Sequence, residues 1–234
     1  MMTDLAITEF PSPNHDAREA AIDTLVLHYT GMKTGREALE RLADAASKVS
    51  AHYLIEEDGE IFRLVDEDRR AWHAGVSRWL GADNTNARSI GIEIVNPGHE
   101  WGYRDFPAAQ IDAVVRLVDD ILTRRAIAAA RVLGHADVAP MRKEDPGEKF
   151  PWRALSSRGL AIAPYDGPPD ETVDYGDALA ALSAIGYDVA PGGHAAALTA
   201  FQRRFCPAAL GQGFSPLTKA ALMAVAASFR AARA

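Results

Sequence analysis

Residues 24–29, TLVLHY, form a compact apolar run of the length of a buried strand, and it delivers His28 near its C-terminal end. Downstream, Leu39, Leu42, Ala46 and Val49 recur at three- and four-residue spacings and predict a helix over 35–49 lying on a core. The runs 52–56 and 60–65 flank Glu57-Asp58-Gly59, whose Asp-Gly pair tolerates the positive dihedrals of a tight hairpin turn. At 89–95 the pattern alternates, with Ile90, Ile92 and Ile94 on one face and Gly91, Glu93 and Val95 on the other. Pro107 suits the first turn of the longest apolar-periodic helix, with predicted buried positions Ile111, Val114, Val115, Val118, Ile121 and Leu122. A short extended run at 131–133 leads into Gly134-His135, a second histidine where strand gives way to loop. Strands with intervening helices predict an α/β fold, a mixed central sheet flanked by helices.

The pattern changes near residue 156. Gly159, Pro164, Gly167, Pro168 and Pro169 mark 159–170 as a linker, and beyond it the chain is rich in Ala and Leu. Helices are predicted over 174–185, 192–205 and 215–227, with breaks at Gly186 and Gly213, which makes a small C-terminal three-helix domain. The expected organisation is a larger domain over 1–158 that includes an N-terminal arm, the linker 159–170, and the helical domain 171–234. A module of about 60 residues is near the limit of independent stability, so it is expected to pack on its larger neighbour.

Composition narrows the chemistry. The 234 residues carry 25 Lys plus Arg against 32 Asp plus Glu, a net charge of -7, with no basic block suited to a phosphate backbone, so nucleic acid is not an expected partner. A single cysteine, Cys206, excludes an intrachain disulfide, a four-cysteine zinc knot and an iron-sulfur cluster, and it reads as a packing residue. Any metal must then be held by histidine and carboxylate. No stretch approaches the roughly 20 apolar residues of a membrane span, and the N-terminus lacks the pattern of a secretory signal. The expectation is a cytoplasmic monomer, with the periplasm as the alternative if a signal has been removed or export is non-classical.

Two of the seven histidines, His28 and His135, fall at inferred strand ends, and Asp145 lies in the loop 139–147. Two imidazoles and one carboxylate supply three zinc ligands and leave a fourth position open, which separates a catalytic site from a closed structural one. Singly, each has an ordinary reading as a hydrogen-bonded histidine or as a turn aspartate before Pro146-Gly147. Lys143, two residues before Asp145, faces the same side of an extended loop and can stabilise a developing oxyanion, or it is a solvated lysine beside Arg142 and Glu144. Glu93 is the candidate general base, its alternative being an ion-pairing role on a solvated sheet face. Asn86, Arg88 and Ser89 can hydrogen-bond a sugar or peptide, or they terminate a loop before the strand.

The assembled motifs resemble the zinc-dependent N-acetylmuramoyl-L-alanine amidases of the type-2 amidase family over residues 10–155: VLHYT, SAHYLIEEDGEIFRLV, AWHAG, SIGIEIVN and GHADVAPMRKEDPGEKFPW. The resemblance implies zinc held by His28, His135 and Asp145, Glu93 as the catalytic carboxylate and Lys143 as the stabilising cation. It also implies that His73, in AWHAG, contacts substrate at the cleft edge. His52 stays outside the ligand set. The implied reaction is hydrolysis of the amide between N-acetylmuramic acid, including the 1,6-anhydro form met in wall recycling, and the L-alanine of a stem peptide, so the implied partners are peptidoglycan fragments or muropeptides. The segments DYGDALAALSAIGYDV, ALTAFQRRFCPAALG and SPLTKAALMAV are similar to the peptidoglycan-binding module of cell-wall hydrolases. The alternative is a non-catalytic muropeptide or peptidoglycan recognition protein using the same cleft. Passive recognition does not need Glu93, Lys143 and a complete ligand set, which favours the enzyme.

Overall fold

A computed structural model of the chain describes residues 5–190 and 192–233. The first four residues of the expected N-terminal arm, and Pro191 and Ala234 of the expected helical domain, lie outside the described residues. In chain order the strands are β1 (Ile7–Glu9), β2 (His15–Ala17), β3 (Thr24–Tyr29), β4 (Tyr53–Ile55), β5 (Ile61–Arg63), β6 (Arg69–Ala71), β7 (Arg78–Trp79), β8 (Ala82–Asp83), β9 (Ser89–Ile94) and β10 (Val132–Gly134). The α-helices are α1 (Gly35–Ala43), α2 (Thr85–Arg88), α3 (Gly98–Trp101), α4 (Ala108–Arg125), α5 (His135–Val138), α6 (Trp152–Ser156), α7 (Tyr175–Ile185), α8 (His194–Phe205) and α9 (Pro216–Ala231).

Six strands form one mixed sheet in the order β1-β5-β4-β9-β3-β10. β4, β9, β3 and β10 are parallel neighbours, β5 joins β4 antiparallel across the expected hairpin, and β1 pairs parallel with β5. The register sets His28 opposite Glu93 and Gly134 opposite Leu27. Three adjacent parallel strands thus end together, and the crevice beyond the carboxyl ends of such strands is where open α/β sheets build their sites.

The central strands are buried on both faces. Leu25, Leu27, Ile90, Ile92 and Ile94 pack beneath α4 against Val114, Leu117, Val118 and Ile121. Each such side chain contributes roughly 1.5–3 kcal/mol when taken from water to full burial. Ile111 and Leu122, expected in the stripe, sit half-buried at its edges, while Ala113 and Leu117 lie at its centre. On the other face, Val26 and Leu133 share a core with Ala136, Val138 and the residues Leu182, Phe201, Phe205, Leu222 and Phe229 of the C-terminal helices. Within the stretch 159–170, Leu160 and Ala161 are buried in the α4 core and Ile162 in the helical core. No helix among the described residues is long and apolar enough to cross a membrane.

One predicted element is shorter than its periodicity suggests. Thr34 caps α1 by accepting from the Glu37 N–H, but the helix stops at Ala43 rather than running to residue 49. Asp44 turns the chain by donating its N–H to the Arg41 carbonyl and accepting from the Ala46 N–H. The buried Asn14 amide then donates to the carbonyls of Asp44 and Val49, 2.8 Å each, which pins 44–49 in an irregular path.

Candidate metal centre and its cleft

His28 is presented by β3, His135 opens α5 immediately after β10, and Asp145 comes from the following loop, where its carbonyl accepts from the Ala136 N–H at 2.9 Å. His135 therefore begins a helical turn rather than a loop. The three side chains converge: His28 Nδ1 lies 2.9 Å from His135 Nδ1 and 3.1 Å from Asp145 Oδ2, and His135 Nδ1 lies 3.0 Å from the same oxygen. All three are buried.

The outer nitrogens of the rings decide which atoms face inward. His135 Nε2 lies 3.1 Å from the Ala74 carbonyl, an acceptor only, so that nitrogen carries a proton and Nδ1 is the atom turned to His28 and Asp145. The Ser89 hydroxyl donates to the Thr85 carbonyl at 2.7 Å, so its oxygen accepts from His73 Nε2 at 3.0 Å. His73 Nδ1 is then an acceptor, and it takes the proton of His28 Nε2 at 3.0 Å. Burial, reinforced by His135, pushes His28 down to about 4, and burial with His28 and its neighbours holds His73 well below the ordinary imidazole range, so both are neutral rings at neutral pH. Burial works to raise the Asp145 carboxyl, but His135 and His28 outweigh it and hold the group well below its usual range. His28 Nδ1, His135 Nδ1 and Asp145 Oδ2 thus face one another within 3.1 Å, three potential ligand atoms turned to one point. That nitrogen and oxygen donor set, gathered within the reach of one ion, suits a divalent metal.

Beside the trio, Glu93 projects from β9 at the position opposite His28. Its Oε2 is buried without a hydrogen-bond partner among the described residues. Burial first, then the Asp145 carboxylate, raises Glu93 well above the ordinary carboxylate range against the opposing charge of Lys143. The exposed Lys143 side chain lines the same cleft, of about 280 Å³, together with Tyr29, Arg41, Trp72 and the three metal-site residues. The expected five, His28, His135, Asp145, Glu93 and Lys143, are therefore gathered in one place.

A family model described as N-acetylmuramoyl-L-alanine amidase matches residues 18–148, a span that contains the whole site. The chain belongs to this amidase family. It is 38% identical over 191 residues to N-acetylmuramoyl-L-alanine amidase AmiD of Escherichia coli K12, covering 73% of this chain and 68% of the relative. Against 1,6-anhydro-N-acetylmuramyl-L-alanine amidase AmpD of the same organism it is 37% identical over 161 residues, 61% of this chain and 86% of the relative. The solved complex of E. coli AmiD with the substrate anhydro-N-acetylmuramic acid-L-Ala-D-gamma-Glu-L-Lys matches with a TM-score of 0.79 and 34% identity, over 91% of this chain and 92% of that one.

The remaining expected contacts divide: one lines the cleft and three do not. His73 lines the cleft, but it is largely buried, with one ring nitrogen on His28 and the other on Ser89, so it also supports the metal ligand. Asn86 Oδ1 accepts from the N–H groups of His73 and Ala74, at 3.1 and 2.7 Å, and so fixes the AWHAG loop rather than facing the cleft. Arg88 pairs with Asp23, and Ser89 is fully buried. Neither they nor Asn86 line the cleft. Ser89 starts β9 and Glu93 lies four residues on, so at about 3.3 Å per residue the two are some ~13 Å apart along the strand, at opposite ends of the sheet. His52 stays outside the ligand set, as expected: Nδ1 accepts from the Gly91 N–H at 2.9 Å, and burial followed by Arg18 pushes the ring down to about 3. Two features were not anticipated. Arg41 reaches the cleft from α1 between two inward leucines, with no periodic signal of its own. Gly91 leaves room for His73, because a Cβ there would lie 2.4 Å from the His73 ring, and a glycine between strand isoleucines is the sign of such a close approach.

Proposed function

We infer that this amidase hydrolyses the amide joining N-acetylmuramic acid, the 1,6-anhydro form included, to the L-alanine of peptidoglycan stem peptides. The observation that carries this reading is the convergence of His28, His135 and Asp145 within 3.1 Å beside a buried, unpartnered Glu93 oxygen in one cleft. The donor set is proposed to hold zinc, which would supply a Lewis acid when bound. Glu93 Oε2 accepts a proton from the attacking water and returns it to the leaving amine nitrogen, and its raised proton affinity suits both transfers. The Lys143 ammonium stands at the cleft wall where negative charge develops on the carbonyl oxygen. His73 and the Ala74 carbonyl fix the orientation of the two imidazoles.

The test is incubation of zinc-loaded protein with a defined muramoyl-peptide and mass measurement of both products. Cleavage at the lactyl-to-alanine amide is expected, giving free stem peptide and a muramic-acid sugar. Binding without product release, with zinc bound stoichiometrically, would overturn the enzymatic reading.

A further inference from the structure

α8 brings two consecutive arginines to the back of the metal loop. Arg203 faces outward, with Nε 3.1 Å from a Glu148 oxygen. Arg204 turns inward and is 3% exposed. One of its nitrogens donates to Asp137 Oδ2 and another to the Val132 carbonyl at 2.9 Å, and the guanidinium carbon sits 3.9 Å from the Trp152 ring centre. Asp137, itself buried, also accepts from the Gly134 N–H at 2.8 Å and from the Tyr187 hydroxyl. Val132, Gly134 and Asp137 bracket His135, so a single guanidinium joins the first residue of β10 to the third residue of α5. A buried ion pair is a poor stabiliser compared with well-packed apolar residues, so its value here is sought in the geometry it imposes. Metal ligation makes geometry matter, since nitrogen donors sit near 2.0–2.1 Å from zinc and a site displaced by about 0.5 Å loses its match.

We propose that Arg204, supplied by the C-terminal helices, is a positioning residue for the metal ligand His135, clamping the corner between β10 and α5 through Asp137 and Val132. Tyr187 completes the clamp from the segment after α7. The helical cluster thereby acts on the metal centre, and the proposal rests on His28, His135 and Asp145 being that centre.

Zinc affinity of the full-length chain, measured by competition with a chromophoric chelator, tests it. Arg204→Met is expected to weaken zinc binding about 10-fold, the lower end of the loss seen when a group bonded directly to a metal ligand is removed, because Arg204 acts on His135 through the backbone corner. Leu222→Ala, a buried helical-core change with no hydrogen bond to this corner, is expected to lower the melting temperature and leave zinc affinity unchanged. Wild-type affinity in folded Arg204→Met, or an equal loss in Leu222→Ala, would overturn the clamp. Should Arg204→Met fail to fold, Asp137→Asn/Arg204→Met strands no buried charge and carries the same expectation. Amide exchange at residues 133–136 in the metal-free protein reads the corner without zinc. It is expected to be at least about 10-fold faster in the Arg204 variant, while Leu222→Ala changes it only in proportion to lost global stability. Unaltered exchange in the Arg204 variant refutes the proposal. A wild type that bound no zinc, with faster exchange in the variant, would instead defeat the metal centre and leave the clamp standing.

Discussion

Glu93 and Lys143 do different things in one cleft, and their removal should separate them. Glu93→Gln keeps the size of the side chain but loses the proton acceptor, so turnover should fall by roughly 10²–10⁴ fold with zinc content intact. Lys143→Ala removes one cationic donor and should cost roughly 10²–10³ fold, mainly in kcat. Steady-state kinetics beside metal analysis checks both, and Glu93→Gln at full activity would remove the assigned base. His52 makes a prediction about stability. Its pKa is near 3 in the folded chain against an ordinary 6.5, so between those values the unfolded state binds the extra proton and stability rises with pH. That contribution is present in full above pH 6.5 and is lost on acidification. Going from pH 6.5 to 5 should cost on the order of 2 kcal/mol from this group. Urea unfolding at both pH values should show the loss in the wild type and a flatter response in His52→Asn.

Among the elements, β9 does most to organise the site, because its two faces do different work. Ile90, Ile92 and Ile94 feed the α4 core, while Gly91 and Glu93 face His73 and the cleft. Gly91→Ala should push the His73 ring off His28, lowering zinc affinity more than stability, and zinc titration beside thermal melting will show which falls further. The two faces of β9 were legible in the sequence, since period-2 alternation is a local property. The strand ends carrying His28 and His135 were equally legible. The pairing of β3 with β9, which sets His28 opposite Glu93, depends on contacts across 65 residues and leaves no mark in either segment. Asn86, Arg88 and Ser89 are near Glu93 in sequence, yet an extended strand carries neighbours away from one another, and their polar chemistry alone did not tell a substrate contact from a loop end. Helical spacing carried α1 too far for a similar reason: the stop comes from Asn14, 30 residues before Asp44.

For the molecule as a whole, metal and fold should be linked. A ligand that binds only the folded chain stabilises it by about 4.1 kcal/mol at a free concentration 1,000 times its dissociation constant. Chelation should therefore lower the melting temperature of the wild type, zinc should restore it, and His135→Ala should respond to neither treatment. Scanning calorimetry with and without chelator checks this, and a wild-type transition indifferent to zinc would count against the centre. The helical core reaches the same sheet from the opposite side, where Val26 of the central strand meets Phe201 and Phe205 in one cluster. A protein cut before α7 would lay Val26, Leu133 and Val138 open to water as a contiguous greasy surface, the kind that drives self-association. The helices are therefore no interchangeable cassette. Shearing them off would leave a face that seeks burial against other copies of itself.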